Sequence, residues 1–173
     1  MVLGLASVGV VALVSQLGDR VVIANTTASV QPGLYVRWPG WCGGEVKVGE
    51  LVSIRVPEVA AGYFAERAGR PSSEADEWSL LKPVAAGPGQ HVDSTGDRLL
   101  IDGIDHGPIY RADALGRELP SRKIRRVLGS DEWLLLSDIP GSIDGRYFGP
   151  VRSAEIEAVR VAVWTWDHQE GEN

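Results

Sequence analysis

Residues 142–150 read SIDGRYFGP, and this stretch carries the most information about the fold of the 173-residue chain. By itself, Asp-Gly-Arg is typical of a polar turn with an ion pair. The aromatic continuation Arg-Tyr-Phe-Gly-Pro is not explained by composition. Two other stretches precede it, ASVQPGLY at residues 28–35 and LLKPV at residues 80–84. The order and spacing of the three stretches favour their belonging to one functional site.

Each stretch also has an ordinary structural interpretation. A serine before a Pro-Gly pair is usually a turn former, which is the simplest interpretation of Ser29. Lys82 lies between aliphatic residues, and lysine is rarely buried without a partner. In an edge strand, however, its side chain could extend past its neighbours to water.

Taken together, the three stretches resemble the nucleophile, base and support segments of the Ser/Lys signal peptidases. The resemblance is strongest to the short conjugative-transfer branch of that family, the TraF-type peptidases, and extends from about Asn25 to Trp164. It implies a mainly β fold, a coiled β-sheet or partly open barrel preceded by an N-terminal apolar helix. It also implies a membrane-anchored serine endopeptidase that cleaves signal-bearing or pilin-like precursors in conjugative transfer, type IV secretion or protein export. Some members of the branch join pilin ends instead, so pilin cyclisation stays open.

The resemblance assigns roles to six residues. It implies Ser29 as nucleophile, Lys82 as general base and Asp144 as a third catalytically important residue. Thr27 would donate to the oxyanion together with the backbone N–H of Ser29. Ser142 would orient the lysine, and Arg146 would pair with Asp144. No cofactor and no metal are expected.

A Ser/Lys dyad makes a specific demand on Lys82. A serine hydroxyl needs a base to remove its proton, and none of the three histidines, His91, His106 and His168, has a recognisable nucleophile context. A free lysine with a pKa near 10.4 is neutral in only about one molecule in 2,500 at pH 7. Making it mostly neutral requires a shift of roughly 3.4 units, which burial can supply. The aliphatic neighbours of Lys82 therefore favour the catalytic interpretation.

The chain departs from the family pattern at three positions. Pro83 stands where an Arg is usual and removes a backbone donor close to the expected substrate cleft. Val30 replaces a common Met, and Gly145 stands where a Ser is usual. Pro83 leaves the pairing of a substrate strand in doubt, because such pairing uses backbone N–H groups.

The N-terminus is apolar, and the rest of the chain is acidic. The run from Val2 to Leu17 would make a helix of about 24 Å, shorter than the ~30 Å hydrocarbon core of a bilayer. A signal peptide and a buried soluble helix are alternatives, but the resemblance favours a membrane anchor. We expect an anchor at residues 1–20 and a catalytic domain at residues 21–168, on the periplasmic or extracytoplasmic side of the bacterial cytoplasmic membrane.

Composition limits the other partners. The formal net charge of −6 argues against nucleic acid as a partner, because nucleic-acid binders normally present a basic face. The expected partners are a precursor or pilin substrate and the membrane. The single cysteine, Cys42, cannot form an internal disulfide, and we interpret it as structural.

Beyond the apolar run, short aliphatic stretches separated by Gly, Pro, Asp and Ser predict strands. The predicted strands are Leu34–Trp38, Leu51–Val56, Trp78–Val84, Leu99–Ile101 and Trp133–Leu136. Apolar residues at helical spacing predict a helix over Val59–Ala68. Asp97–Ile104 predicts a hairpin, and the basic stretch Ser121–Arg126 predicts a solvated loop.

A non-catalytic relative stays open as an alternative to a peptidase, whereas a self-cleaving repressor is disfavoured. A non-catalytic, membrane-tethered assembly or binding component of a secretion or conjugation system could keep the same fold, and Pro83 and Gly145 favour it. The joint presence of Ser29, Lys82 and Asp144 counts against it. A self-cleaving repressor with the same dyad would need a DNA-binding domain that the short apolar N-terminus cannot supply.

Overall fold

The computed structural model describes residues 22–43, 45–68, 78–120, 122–139 and 141–166. This part of the chain is mainly β. Its strands are β1 (Val22–Asn25), β2 (Gly33–Arg37), β3 (Leu51–Arg55), β4 (Ser79–Ala86), β5 (His91–Asp93), β6 (Arg98–Ile101), β7 (Ile104–Pro108), β8 (Arg125–Val127), β9 (Glu132–Leu135), β10 (Val151–Arg152) and β11 (Ile156–Thr165). Its helices are α1 (Glu58–Ala68), α2 (Gly145–Phe148) and a 3₁₀ turn at Ser153–Glu155.

The strands form two sheets. The larger sheet has the order β1-β2-β11-β3-β4-β9-β10, and the smaller has the order β7-β6-β5-β8. Every pairing is antiparallel. The larger sheet is open, with β1 and β10 at its edges, so the described residues do not form a closed barrel.

Each sheet has its own hydrophobic core. The larger core packs β3, β4 and β9 against both helices, with Ile54, Leu135, Tyr147 and Phe148 among its buried members. Helix α1 contributes Ala60 and Tyr63 to that core, which is the face that its apolar spacing predicts. The smaller core joins β5 and β6 to the inner face of β9 through Leu134 and Leu136. Strand β9 therefore serves both cores.

The predicted hairpin is confirmed, and its turn explains the sequence. Ile101 pairs with Ile104, so Asp102 and Gly103 are the two turn residues between β6 and β7. Both have positive φ, 50° and 82°, as a two-residue turn that matches the strand twist requires. Glycine adopts such a conformation without steric penalty, and aspartate tolerates it better than most residues.

The mainly β prediction is confirmed, and the five predicted strands and the helix near residue 60 are present with bounds shifted by one or two residues. The basic stretch was expected to be a loop, but its second half pairs with β5 as the exposed edge strand β8. The predicted N-terminal helix lies outside the described residues, so that helix and the two-domain division stay predictions. Among the described helices, none has the length and apolarity needed to cross a membrane.

Candidate active site

The loop that carries Ser29 connects β1 to β2 and is organised by Asn25. The Asn25 side chain is buried at the end of β1, and its Nδ2 donates to the carbonyl oxygens of Val30 at 2.8 Å, Thr27 at 3.0 Å and Gln31 at 3.3 Å. Its Oδ1 accepts from the backbone N–H of Thr27 at 3.3 Å and from the Thr27 hydroxyl at 2.8 Å. One buried amide thus fixes the backbone on both sides of Ser29.

These bonds also determine where the Ser29 proton points. Because Nδ2 of Asn25 is occupied by carbonyl acceptors, its Oδ1 is the acceptor and the Thr27 hydroxyl donates to it. The Thr27 and Ser29 hydroxyl oxygens are 3.1 Å apart. Since Thr27 has already used its only proton, Ser29 donates to Thr27. The nucleophile candidate therefore directs its proton towards Thr27.

Lys82 is a buried cation on the central strand β4. Its side chain is 3% exposed, and Nζ donates to the Ser142 hydroxyl at 2.7 Å. Burial is the main influence on this lysine and lowers its pKa to about 8, although the nearby Asp144 carboxylate raises it and Arg146 lowers it further. The shift goes in the direction that a general base requires.

Asp144 and Arg146 form a buried ion pair beside Lys82. Arg146 NH1 lies 2.5 Å from Asp144 Oδ2, and the Asp144 side chain is completely buried. Asp144 also caps α2, because its Oδ1 accepts from the backbone N–H of Arg146 at 3.0 Å. Burial raises the pKa of Asp144 to about 6, opposed mainly by the Arg146 charge. Arg146 NH2 further donates to the His106 carbonyl at 2.9 Å.

Ser137 connects the Ser29 loop to this ion pair. It lies two residues after the end of β9, and its hydroxyl donates to the carbonyl oxygen of Ser29 at 2.6 Å. Its backbone N–H donates to Asp144 Oδ2 at 2.9 Å, and its carbonyl accepts from both guanidinium NH₂ groups of Arg146 at 3.3 Å. Strand β9 pairs with β4, the strand that carries Lys82, so Ser137 links the Ser29 loop to the strand next to β4.

The structure joins the predicted residues into three bonded pairs within the described chain. These are Thr27 with Ser29, Lys82 with Ser142, and Asp144 with Arg146. Among the described residues, Ser29 and Lys82 make no direct hydrogen bond to each other, so the dyad stays a prediction. Asn25 and Ser137 were not predicted. Only the position of Asn25, four residues before Ser29, could have pointed to a turn-organising side chain.

Gly145 has a packing reason. A Cβ built at this position would lie 2.8 Å from the carbonyl oxygen of Leu135 and 2.7 Å from Cδ1 of Leu134. The first helical residue of α2 is pressed against β9, and only glycine fits without movement. The absence of the usual Ser therefore reflects close packing, which removes it as an argument for lost catalysis.

Pro83 has a position in the sheet that clarifies its effect. Its carbonyl accepts from the backbone N–H of Leu136 at 3.0 Å, whereas the N–H of the next residue, Val84, donates to Glu50 on the opposite side. In an antiparallel pair of this kind, any residue other than proline at position 83 would donate its backbone N–H to the Leu136 carbonyl. The missing donor therefore weakens the last rung between β4 and β9 and marks where the two strands separate.

Comparison with known proteins agrees with this architecture. Residues 1–166 match the family described as signal peptidase, peptidase S26. The chain therefore belongs to the signal peptidase family. Two plasmid transfer proteins TraF from Escherichia coli are similar to it. One is 34% identical over 149 residues, covering 82% of each chain, and the other is 31% identical over 172 residues, covering 94% of each chain.

A crystal structure of a signal peptidase I from Enterococcus faecalis is a more distant match. Its sequence identity is 21% and its TM-score 0.36, over 67% of this chain and 97% of that one. The family assignment accordingly depends on the sequence matches. Family membership and the plasmid transfer relatives support a peptidase or conjugation-related role. Among the described residues, no group of three or more His, Cys, Asp or Glu side chains is placed to hold a metal ion.

Proposed function

We propose that this protein is a membrane-anchored serine endopeptidase in which Ser29 is the nucleophile and Lys82 the general base, acting on a signal-bearing or pilin-like precursor. The observation that carries the proposal is the buried Lys82. Its pKa of about 8 makes the neutral amine available near physiological pH, and a cation is not buried in this way for packing alone.

The chemistry requires a rearrangement of hydrogen bonds that substrate binding would drive. At rest, Ser29 donates to Thr27 and Lys82 donates to Ser142. In the proposed reaction, the Ser29 hydroxyl leaves Thr27 and gives its proton to the neutral Lys82 amine. Catalytic hydrogen bonds commonly form only in the substrate complex. Ser142 then serves as the partner that keeps the amine oriented while Ser29 is turned away.

The edge of β4 before Pro83 supports binding of a peptide substrate in extended conformation. Strand β9 pairs with β4 at Val84 and Ala86, and the last rung is at Pro83. Backbone groups of alternate residues point to the same side, so those of Leu81 face the direction of Pro83. On that side of β4, no other described strand pairs with Leu81, whereas β3 pairs along the opposite side. An added strand could therefore pair with Leu81 and present its carbonyl to the Ser29 loop.

Membrane anchoring is part of the proposal and has support from the surface. The ribbon formed by β1, β2 and the end of β11 presents Val163 and Trp164, which are 60% and 68% exposed. The ribbon begins directly after the apolar N-terminal run. Exposed tryptophans are favoured where protein meets the lipid headgroups. An anchor there would hold the proposed active site close to membrane-inserted precursors.

The decisive experiment measures cleavage by the full chain in detergent of peptides with alanine before the expected bond. We expect cleavage by the wild type and none by Ser29→Ala or Lys82→Met. Exposed residues of the same types supply matched controls, and Ser130→Ala and Lys47→Met should cleave normally. A cyclised product would be lighter than the hydrolysed one by the mass of one water.

The rival function has a distinct outcome in the same experiment. A non-catalytic assembly component would bind a precursor without cleaving it, and Ser29→Ala would bind as the wild type does. If folded wild-type protein cleaves none of the peptides and no co-expressed pilin precursor, the proposed peptidase activity is wrong.

A further inference from the structure

We propose that Ser137 is a positioning residue for Ser29, through which the buried Asp144–Arg146 pair sets the geometry of the Ser29 loop. This inference rests on the proposed function. Ser137 is 2% exposed, and its hydroxyl proton is given to the Ser29 carbonyl at 2.6 Å. The same hydroxyl accepts from the backbone N–H of Ile139 at 3.1 Å, so both of its main hydrogen-bonding directions are occupied.

The backbone of Ser137 is held as firmly as its side chain. Its N–H donates to Asp144, and its carbonyl accepts from the two NH₂ groups of Arg146. Bonds to ionised groups are roughly twice as strong as neutral ones. The ion pair thus fixes both peptide groups of Ser137. The hydrogen bond from the Ser137 hydroxyl in turn restrains the Ser29 carbonyl.

Fixing the Ser29 carbonyl restricts the backbone on both sides of the nucleophile candidate. Asn25 already holds the carbonyls of Thr27 and Val30 on either side of it. With the Ser29 carbonyl also fixed, the peptide groups around the nucleophile candidate have little freedom to rotate. These hydrogen bonds set the direction of the Ser29 N–H, which is the expected oxyanion donor. They also set the position from which the Ser29 side chain begins. A misplacement of about 1 Å in such a group can lower a rate about 100-fold.

This arrangement gives Asp144 a task other than tuning the lysine. Asp144 raises the pKa of Lys82, which by itself opposes the role of a base. Its bond to the Ser137 N–H instead supports the nucleophile loop. The two effects are separable, because Ser137 carries no charge and its hydroxyl can be removed without changing the electrostatics at Lys82.

The chain contains a closely matched control for Ser137. Ser94 is 3% exposed, its hydroxyl donates to the Arg122 carbonyl at 3.3 Å, and it accepts from the backbone N–H of Ile124 at 3.0 Å. It therefore makes the same two kinds of bond with a similar burial, but in the smaller sheet and away from Ser29. A loss of stability alone should affect Ser94→Ala and Ser137→Ala alike.

The test compares wild type, Ser137→Ala and Ser94→Ala by two measurements on the full chain in detergent. The first is amide hydrogen exchange of residues 26–31 by mass spectrometry, which requires no activity. We expect faster exchange in this loop only for Ser137→Ala. The second is peptide cleavage, for which we expect kcat to fall about 10- to 100-fold in Ser137→Ala with KM nearly unchanged. Ser94→Ala should keep the wild-type kcat.

The outcomes separate this inference from the proposed function. Unchanged loop exchange in Ser137→Ala would overturn the positioning role, whatever the activity. Equal effects of the two serine variants on kcat would also overturn it, since they would reduce Ser137 to a structural hydroxyl. If the wild type has no Ser29-dependent cleavage, the proposed function fails, while the exchange measurement still decides whether Ser137 holds the loop.

Discussion

At the scale of single residues, two uncharged side chains determine how Ser29 is presented. The Asn25 side chain donates to three backbone carbonyls of the loop, and the Ser137 hydroxyl donates to a fourth, that of Ser29. Neither takes part in proton transfer. Both are buried, and their side chains hydrogen-bond to backbone groups. Such bonds keep a loop rigid when it has no regular secondary structure.

Thr27 offers the first prediction at this scale. Thr27→Val removes the hydroxyl that Ser29 contacts and keeps the shape of the side chain. If that hydroxyl turns from Asn25 to the oxyanion during reaction, we expect kcat to fall about 100- to 1,000-fold with little change in KM. The neighbouring exposed residue supplies the control Thr26→Val, which should be active. An unaltered kcat in Thr27→Val would leave the Ser29 N–H as the only predicted donor.

Lys82 offers a prediction about stability that needs no substrate. Its folded pKa of about 8 lies below the ordinary lysine pKa of 10.5, so the unfolded chain binds the proton more tightly between these values. Stability due to this group therefore rises with pH from about 8 to 10.5. We expect the free energy of unfolding of the wild type to gain about 3 kcal/mol relative to Lys82→Met over that interval. Parallel pH profiles in urea unfolding would contradict a depressed lysine pKa.

The residues that carry the expected chemistry could be read from the sequence, whereas those that hold them could not. Ser29, Lys82 and Asp144 stand in recognisable stretches. Ser137 bonds to a residue 108 positions away, and serine after a strand is too common to indicate such a contact. The hydrogen-bonding state of Ser29 likewise depends on the orientation of the Asn25 amide, which has no counterpart in the sequence pattern.

At the scale of elements, the close contact between α2 and β9 sets the position of the ion pair. Helix α2 is only four residues long and entirely buried. Its first residue lies on the backbone of β9, and its cap is Asp144. The spacing between strand and helix therefore decides where the carboxylate lies relative to Ser137 and Lys82.

Enlarging Gly145 should disturb this contact. We expect Gly145→Ala to lower the free energy of unfolding by about 1 to 3 kcal/mol, because the added Cβ would overlap the Leu135 carbonyl and the Leu134 side chain. Gly141 in the same segment has open space around its Cα, so Gly141→Ala is the matched control and should be nearly neutral. The measurement is the urea midpoint of each variant. Equal midpoints would mean that α2 can move away from β9 freely.

Sequence patterns predicted four strands of the larger sheet but missed its longest strand, although β11 is also rich in aliphatic residues. β3, β4 and β9 are rich in Leu, Val and Ile and were predicted. The long strand β11 was not, although it pairs with both β2 and β3. Its sequence includes Arg160, which is buried and donates to Ser53. A buried arginine interrupts the apolar pattern, and its hydrogen bond to Ser53 on β3 cannot be read from the sequence.

At the scale of the whole molecule, two buried titrating groups would make the proposed peptidase activity sensitive to pH. Asp144 has a raised pKa of about 6 and Lys82 a lowered pKa of about 8. At pH 7, most of the carboxylate is ionised and most of the amine is protonated. The proposed base is therefore active in a minority of molecules at neutral pH and in most of them above pH 8.

The pH profile of kcat/KM tests this arrangement. We expect an ascending limb near pH 8 in the wild type. In Asp144→Asn the limb should move to lower pH, because the carboxylate that raises the pKa of Lys82 is gone. The rate itself should fall, since Ser137 loses a charged acceptor. A limb that moves upward, or one that stays in place in Asp144→Asn, would contradict Lys82 as the titrating base.

Membrane attachment is tested by fractionation of the full chain and of a variant lacking residues 2–17. We expect the full chain in the membrane fraction and the shortened variant in the aqueous fraction, folded. The physical reason is the removal of sixteen consecutive, mainly apolar residues. A full chain that needs no detergent, together with a shortened variant that unfolds, would identify residues 2–17 as part of the protein core.

The place of β11 in the larger sheet has a consequence in time. The hairpin of β1 and β2 joins that sheet only through β11, which lies between β2 and β3 and follows every other described strand in chain order. While the protein is being synthesised, residues 22–37 have no sheet to join until residues 156–165 have left the ribosome. The loop that carries Ser29 is therefore synthesised early, but the hairpin that holds it can pair with the larger sheet only after β11 has emerged.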